Sequence, residues 1–271
     1  MKSLVRCLLL IVATLATAAL AEDAKKVQMQ WLGQSCWKIT TPGGKVIVVD
    51  PFLVNNPKTP AEYKDLSKLG KVDLILVTHA HGDHYADGPA LAKMNNAPLW
   101  GPAGLDDQLQ ALGILPPELA PRFGKGGTIE PLPGLKVTAV HAEHSSEMIL
   151  KDPATGKDTS YPAGEPVGFI IQLENGFKIY HMGDTGLFGD MKFIGDYYKP
   201  DIVLIPIGGH FVMSPQDAAY ATREWLKPKY AVPMHYGTIP QLKGTPQEYM
   251  AALGDVATKV MVINPGDALT F

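Results

Sequence analysis

Short apolar runs between turn residues dominate the first half of the chain. Four of these runs are alternating or continuously apolar and predict β-strands, at residues 27–32, 36–40, 45–49 and 72–77. Pro42-Gly43-Gly44 predicts a hairpin turn between the second and third runs. Helical patterns near 89–95 and 104–112 follow the fourth run, so strands and helices are interspersed along this half.

The second half repeats this mixture. Its apolar runs predict strands at residues 135–140, 167–173, 177–180, 202–205 and 260–263. Ser214 followed by Pro215 predicts a capped helix that Pro228 stops. Thr245 and Glu248 form a capping box for a last helix. Strands in both halves, with helices between and after them, predict stacked β-sheets covered by helices.

The first 21 residues have the pattern of a secretory signal peptide. Lys2 and Arg6 form a basic start, residues 8–20 are almost entirely apolar, and the Ala-Leu-Ala that ends at Ala21 matches a cleavage site. An uncleaved membrane anchor is the alternative, but the apolar run is short for a bilayer. Because no linker or repeat divides the rest, we expect one domain over residues 22–271. We expect it to be periplasmic or secreted, without stable membrane insertion after cleavage.

Composition narrows the class of partner. The chain is 46% hydrophobic and 19% charged, as expected for a globular protein with a sizeable core. Its formal charge of −3 becomes −5 once Lys2 and Arg6 leave with the signal peptide, and this acidic balance argues against nucleic-acid partners. Cys36 is then the single remaining cysteine, so no internal disulfide is expected. The oligomeric state stays open, a homo-oligomer included.

A dense group of potential metal ligands follows the apolar run 72–77, in the segment Thr78-His79-Ala80-His81-Gly82-Asp83-His84. Strand residues two apart point to the same side, so His79 and His81 can aim their imidazoles at one point. Gly82 permits a sharp turn, after which Asp83 and His84 present a carboxylate and a third imidazole. These ligand types suit zinc, iron or manganese. The alternative is that these histidines only make hydrogen bonds within a loop, but such a loop would crowd several titratable side chains together without a reason for them to converge.

Seven segments make the chain resemble the metallo-β-lactamase superfamily. They are Trp31-Leu32-Gly33, Val49-Asp50-Pro51-Phe52, the histidine-rich segment above, His144-Ser145-Ser146, Tyr180-His181-Met182-Gly183-Asp184-Thr185-Gly186, Pro206-Ile207-Gly208-Gly209 and Pro233-Met234-His235-Tyr236-Gly237-Thr238. Within the superfamily, the chain is most similar to the uncharacterised metal-dependent hydrolases related to the ascorbate-6-phosphate lactonases. The resemblance runs from about Trp31 to about Met250.

The resemblance implies an α+β fold, an αββα four-layer sandwich in which two mixed β-sheets are flanked by helices. It also implies two divalent metal ions at one edge of the sheets. By position, the implied ligands are His79, His81 and His144 for the first metal, Asp83, His84 and His235 for the second, and Asp184 as a bridge. His141 is a rival for the place of His144. The expected metal is zinc, although manganese, iron and nickel accept the same ligands.

Such a site predicts a metal-dependent hydrolase. A hydroxide that bridges two metal ions would attack the substrate, which we expect to be a small ester, lactone or phosphoester. Asp83 is expected to orient this nucleophile or to shuttle a proton, and His210 and Tyr236 are expected to contact the substrate. Asp50 is either a partner that orients a ligand histidine or a turn residue before Pro51.

Two further features bear on the site. Gln34 stands where relatives usually have histidine, and glutamine neither titrates near neutral pH nor binds metals as imidazole does. The polar loop over residues 151–166 is either a lid over the site or a mobile surface loop.

Other functions are compatible with the same ligands. A β-lactamase is one alternative, but its usual thiolate ligand has no counterpart, because Asp184 stands at the bridging position and Cys36 lies far upstream. A phospholipid hydrolase is a second alternative, and a non-catalytic metal-binding protein is a third. The complete ligand set favours an enzyme.

Overall fold

The computed structural model describes residues 26–152 and 154–271. The predicted signal peptide over residues 1–21 lies outside the described residues. The first seven strands are β1 (Gln28–Gly33), β2 (Cys36–Thr40), β3 (Val46–Val49), β4 (Leu74–Leu76), β5 (Leu99–Pro102), β6 (Arg122–Phe123) and β7 (Thr128–Leu132). The helices among them are α1 (Gly82–Tyr85), α2 (Gly88–Asn95) and α3 (Leu105–Ala111), with 3₁₀ turns at Ala61–Lys64 and Leu66–Leu69.

The remaining elements complete a second set of strands and helices. The strands are β8 (Leu135–His141), β9 (Glu147–Lys151), β10 (Asp158–Pro162), β11 (Val167–Gln172), β12 (Lys178–His181), β13 (Ile202–Pro206), β14 (Tyr230–Met234), β15 (Lys259–Val260) and β16 (Ala268–Thr270). The helices are α4 (Met191–Tyr198), α5 (Pro215–Tyr220) and α6 (Pro246–Leu253). A π-helical segment, Ala221–Leu226, continues directly from α5.

Two mixed sheets organise these strands. The first has the order β16-β1-β2-β3-β4-β5-β6 and is antiparallel from β16 to β3 and parallel from β3 onward. The second has the order β15-β14-β13-β12-β11-β8-β7 and is parallel from β15 to β12 and antiparallel beyond. In the parallel part of each sheet, the carboxyl ends of several strands therefore lie at the same edge.

Three hydrophobic clusters arrange these sheets into four layers. Side chains from both sheets, such as Trp37 and Phe169, form the cluster between them. Leu91 and Leu109 of α2 and α3 pack on the outer face of the first sheet. Tyr249 of α6 belongs to the matching cluster on the second sheet. The prediction of an αββα sandwich with two mixed sheets is therefore confirmed.

The helix starts follow the predicted capping chemistry. The Ser214 hydroxyl accepts a hydrogen bond from the backbone N–H of Asp217, whose carboxylate bonds back to Ser214. Thr245 and Glu248 form the same reciprocal box at the start of α6. In both cases the side chains satisfy N–H groups that the first helical turn leaves without partners.

The predicted strand over residues 260–263 is wrong beyond its first residue. The β14–β15 ladder carries bonds from Lys259 N–H to the Lys229 carbonyl and from Met261 N–H to the Ala231 carbonyl. In a parallel ladder, Pro233 is the next residue of β14 that faces this neighbour, and proline has no N–H to donate. The ladder therefore stops, although the apolar pattern of the sequence continues.

The loop predicted over residues 151–166 contains part of a β-hairpin. Strands β9 and β10 pair antiparallel from Glu147 opposite Pro162 to Lys151 opposite Asp158. Met148 is fully buried and belongs to the cluster on the outer face of the first sheet. The base of the hairpin is thus anchored on the helical layer, and Glu147, its first residue, lies next to the candidate site.

Candidate metal centre

The predicted ligands lie just beyond the carboxyl ends of strands. His79 and His81 follow β4, while Asp83 and His84 lie in the single turn of α1. In the second sheet, Asp184 follows β12 and His235 follows β14, and both strands are parallel to the β13 between them. His144 follows β8. The ends of strands from both sheets thereby bring all seven predicted ligands together, as two groups.

The first group consists of three histidines. His79 Nε2 lies 3.0 Å from His81 Nδ1, and His144 Nε2 lies 3.3 Å from the same His81 nitrogen. The rival His141 is elsewhere, because its Nδ1 lies 3.3 Å from the Lys125 ammonium and its ring packs edge-on against Phe188. The structure therefore places His144, and not His141, beside His79 and His81.

The second group consists of Asp83, His84, Asp184 and His235, whose ligand atoms lie within 4.8 Å of one another. Asp184 Oδ1 lies 3.2 Å from His84 Nε2 and 3.0 Å from His235 Nε2. The other oxygen of Asp184, Oδ2, lies 3.7 Å from His144 Nε2 in the first group. One carboxylate thus faces both groups, as a bridging ligand would.

The donor set fits divalent metal ions. His84 Nε2 and Asp184 Oδ1 are buried and have no hydrogen-bond partner among the described residues, although they lie close together. Buried polar atoms normally have a partner, because leaving one without a partner costs free energy. A cation bound among these atoms would satisfy them. The ligands are nitrogen and oxygen atoms without a thiolate, which suits zinc, manganese, iron or nickel.

The charge states of the Asp184 and Asp83 carboxyl groups also favour binding of a cation. Burial opposes ionisation of Asp184, but the imidazoles of His235 and His84 outweigh it and hold the pKa of this carboxyl well below its ordinary value. Burial likewise opposes ionisation of Asp83, and His84 again outweighs it, so the pKa of Asp83 is lowered. Both groups are therefore carboxylates near neutral pH, which is the form that binds a cation.

The histidines differ between the two groups. Burial lowers the pKa of His79 well below its ordinary value, so its imidazole is neutral and has a free lone pair. For His84, burial is outweighed by the carboxylates of Asp184 and Asp50, which raise its pKa well above the ordinary value. The pKa of His235 is raised to about 9, because Asp184 again outweighs burial. A metal ion bound in the second group would therefore displace protons.

Asp50 holds one of the predicted ligands, His84, in place. Its Oδ2 lies 2.8 Å from His84 Nδ1 and accepts a hydrogen bond from the Thr78 hydroxyl at 2.8 Å. Its Oδ1 accepts a bond from the Thr78 backbone N–H at 2.7 Å. A carboxylate at Nδ1 fixes the proton there and leaves Nε2 facing the site. This geometry supports the orienting role of Asp50 over that of a simple turn residue.

Sequence reasoning missed a second outer partner, Glu147. Its Oε2 lies 3.1 Å from His81 Nε2 and accepts a hydrogen bond from the Ser145 hydroxyl at 3.0 Å. His81 therefore turns Nδ1 toward the other histidines and Nε2 toward Glu147. The available signal was a carboxylate three residues after His144, but the pairing depends on the β-hairpin, which the sequence pattern did not predict.

Gln34 lies within the second group. Its amide nitrogen donates to Asp83 Oδ2 at 2.7 Å and lies 2.8 Å from His235 Nε2. Its backbone carbonyl accepts from the His235 N–H at 3.1 Å. The glutamine therefore holds a predicted ligand on each side, while its Oε1 is buried without a hydrogen-bond partner among the described residues.

A cavity of about 440 Å³ opens over the two groups, and Asp83 lines it. The other two predicted catalytic residues are not brought to its lining. Tyr236 is half-buried, with its ring 5.6 Å from that of Trp31, and it lines a neighbouring cavity of about 190 Å³. His210 is exposed with its ring against Phe211, and it is Phe211 that lines the cavity. Substrate contacts of Tyr236 and His210 stay predictions.

The four-layer fold and this edge of histidines and aspartates define a class, the metallo-β-lactamase superfamily. A family model described as "Beta-lactamase superfamily domain" matches residues 28–235. The chain is 62% identical over 273 residues to a UPF0173 metal-dependent hydrolase from Polaromonas sp., with all of both chains covered. It is 61% identical to another from Cupriavidus necator, with 92% of this chain and 87% of the relative covered.

A solved structure agrees with these relatives. Igni18, a novel metallo hydrolase from the hyperthermophilic archaeon Ignicoccus hospitalis, has a TM-score of 0.76 and 33% identity, and the match covers 91% of this chain and 98% of Igni18. The chain therefore belongs to the UPF0173 metal-dependent hydrolases of the β-lactamase superfamily. These relatives do not show the further link to the ascorbate-6-phosphate lactonases, which stays a prediction.

The signal-peptide, periplasmic and secreted assignments are corrected. The descriptions of the related hydrolases mention neither a signal peptide nor a periplasmic location. Among the described residues, no helix has the length and apolar character needed to cross a bilayer. Residues 1–21, on which the assignment rested, lie outside the described part of the chain. The signal peptide and the periplasmic or secreted location therefore find no support in these relatives.

Proposed function

We propose that this protein is a binuclear metal-dependent hydrolase of a small ester, lactone or phosphoester, with zinc as the expected metal. The observation that carries the proposal is the position of Asp184, whose Oδ1 faces His84 and His235 and whose Oδ2 faces His144. A carboxylate shared between two ligand groups supports a pair of ions rather than a single one. The cavity of about 440 Å³ above them suits a small molecule.

Each group of side chains has a part in this proposal. His79, His81 and His144 would hold one ion, Asp83, His84 and His235 would hold the other, and Asp184 would contact both. Bound divalent ions supply Lewis-acid polarisation of the attacked oxygen and lower the pKa of a water molecule. Asp50 and Glu147 hold the rings of His84 and His81 by hydrogen bonds to the nitrogens that face away from the site.

Asp83 is the residue best placed to move a proton. Its side chain is 36% exposed, while that of Asp184 is 4% exposed, so Asp83 is the accessible carboxylate at the cavity. Gln34 donates to its Oδ2 and thereby fixes the direction of the carboxylate. We infer that Asp83 accepts a proton from the attacking water and passes it to the leaving oxygen.

Metal content and hydrolysis, measured together, test this function. We expect about two metal ions per chain by elemental analysis and turnover of at least one class in a panel of chromogenic esters, lactones, phosphodiesters and a cephalosporin. The double substitution His79→Ala, His81→Ala should lose metal and turnover. The matched control is His141→Ala, because His141 is a nearby histidine whose contacts are with Lys125, Glu143 and Phe188.

The outcomes separate the alternatives. No bound metal after reconstitution with zinc, manganese, iron and nickel would contradict the proposal. Two metals without turnover of any substrate would favour the non-catalytic metal-binding alternative. Turnover restricted to the cephalosporin would favour a β-lactamase. Equal loss of metal in His141→Ala would show that the variants report general damage instead of the proposed ligand set.

A further inference from the structure

Apolar side chains form much of the wall of the cavity over the metal centre. Phe52, Pro57, Phe211 and Ile239 line it. Phe211 is 50% exposed and Ile239 is 42% exposed, on the loops that follow β13 and β14. Exposing large hydrophobic side chains to water is unfavourable, and such side chains at the rim of a concave site are typical of a surface that a ligand covers.

The remaining polar side chains of this wall are uncharged apart from the candidate metal ligands. They are Gln34, Asn55 and Thr238, and the side-chain atoms Gln34 Oε1 and Thr238 Oγ1 are buried without hydrogen-bond partners among the described residues. No lysine or arginine of the described chain lines this cavity, whereas the carboxylates of Asp83 and Asp184 do.

This charge pattern discriminates between substrate classes. A phosphoester carries negative charge in its ground state, and proteins commonly stabilise that charge with arginine or lysine donors. Here the wall of the cavity offers two carboxylates and three histidines, which are all candidate metal ligands, and three neutral side chains, but no lysine or arginine. The metal ions would therefore have to stabilise the charge of the phosphoester. An uncharged ester or lactone has no such cost on entry, and an apolar substituent on it would cover the exposed rim.

We propose that the substrate is an uncharged ester or lactone with an apolar substituent, and that Phe211 and Ile239 bind that substituent. This inference rests on the proposed hydrolase function and narrows its substrate class. Hydrolysis adds water across the acyl C–O bond: the water oxygen joins the acyl carbon, the C–O bond breaks, and a water proton ends on the leaving alcohol oxygen. From a lactone, the product is a single hydroxy acid.

The test compares two matched substrate series on the metal-loaded protein. One series contains 4-nitrophenyl esters from acetate to hexanoate, and the other contains 4-nitrophenyl alkyl phosphodiesters with the same chain lengths. Each methylene buried against the wall should raise kcat/KM about fourfold, which corresponds to about 0.8 kcal/mol. We expect this rise for the esters and expect the esters to exceed the phosphodiesters at every length.

Two substitutions assign the effect to the rim. Phe211→Ser should flatten the dependence of kcat/KM on acyl chain length. Phe193→Ser is the matched control, because Phe193 is an aromatic residue that is 58% exposed on α4 and does not line this cavity. The control should keep the full chain-length dependence.

The possible failures are distinguishable. If phosphodiesters are turned over as fast as esters, or if Phe211→Ser leaves the slope unchanged, the inference is overturned while the hydrolase function stands. If no substrate is turned over, the proposed function fails, and calorimetric titration with 2-alkanones of increasing length decides the apolar subsite. Affinity that rises with length and is lost in Phe211→Ser supports the subsite, and affinity independent of length refutes it.

Discussion

Replacing Asp50 by Asn should weaken metal binding by the second group of predicted ligands. All three contacts of the Asp50 carboxylate place it as an acceptor, from the Thr78 N–H, the Thr78 hydroxyl and His84 Nδ1. Asparagine has one oxygen and one NH₂ group. If the NH₂ faces the backbone N–H, two donors oppose each other. If it faces His84, the imidazole must accept at Nδ1 and carry its proton on Nε2, the atom that faces the site.

The magnitude follows from this change of tautomer. Loss of an outer partner of a ligand histidine lowers metal affinity about 10- to 100-fold, or about 1.4 to 2.7 kcal/mol. The assay is zinc titration of the metal-free protein in competition with a chromophoric chelator, with circular dichroism to verify folding. Asp87→Asn is the control, because the Asp87 carboxylate accepts from the Leu53 and Val54 N–H groups and contacts no ligand. Unchanged affinity of a folded Asp50→Asn protein would refute the reasoning.

Two further predictions concern stability. Asp106 is fully buried, and burial raises its pKa to about 8 from an ordinary value of 3.8, so the folded state holds a proton that the unfolded state releases. Its contribution to stability is therefore lost as pH rises from about 4 to about 8, by at most about 1.4 kcal/mol per pH unit. Asp106→Asn should remove this dependence, and urea unfolding at pH 5 and pH 8 checks it; an equal loss with pH in the variant would contradict it. Gly183 has φ +61°, and a Cβ there would lie 2.8 Å from Thr78 Cβ. Gly183→Ala should therefore lower the free energy of unfolding by about 2–4 kcal/mol. Gly176, with φ +85°, has open space around it, so Gly176→Ala should lower the free energy of unfolding by only about 1–2 kcal/mol. Thermal unfolding of both variants measures the difference, and equal losses would refute the contact argument.

The sequence alone predicted the parts of the site that are local. His79, His81, Asp83 and His84 occur within six residues, so strand alternation and a glycine turn are enough to place their side chains near one another. His144, Asp184 and His235 come from distant strand ends. Their convergence requires the topology of both sheets, and only the family resemblance supplied it.

Long-range pairing also explains what the sequence analysis missed. Strand β14 contains Pro233, which argues against a central strand, but the N–H that proline lacks would face β15, and the β14–β15 pairing stops there. Glu147 looks like an ordinary polar residue until the β-hairpin brings it to His81. In both cases, the role of the residue depends on a partner strand that the local sequence pattern does not reveal.

Backbone strain and cross-sheet bonds occur together at this edge. Gln34, Asp50 and His235 all have positive φ angles, of 52°, 47° and 55°, which cost free energy in residues other than glycine. Gln34 follows β1 of the first sheet and His235 follows β14 of the second sheet. The carbonyl of Gln34 accepts hydrogen bonds from both the His235 N–H and the Trp31 indole. A strained conformation persists when the surrounding structure determines it, and here the two buried sheets do so.

Hydrogen bonds between the two sheets hold the predicted ligands in position. Besides the bond from His235 to Gln34, His181 Nε2 lies 2.9 Å from the Ser35 carbonyl, and the Val167 N–H donates to the Thr78 carbonyl at 3.0 Å. These contacts flank His79, Asp184 and His235 without using any metal-facing atom. These hydrogen bonds therefore position the strand ends that carry both groups of predicted ligands.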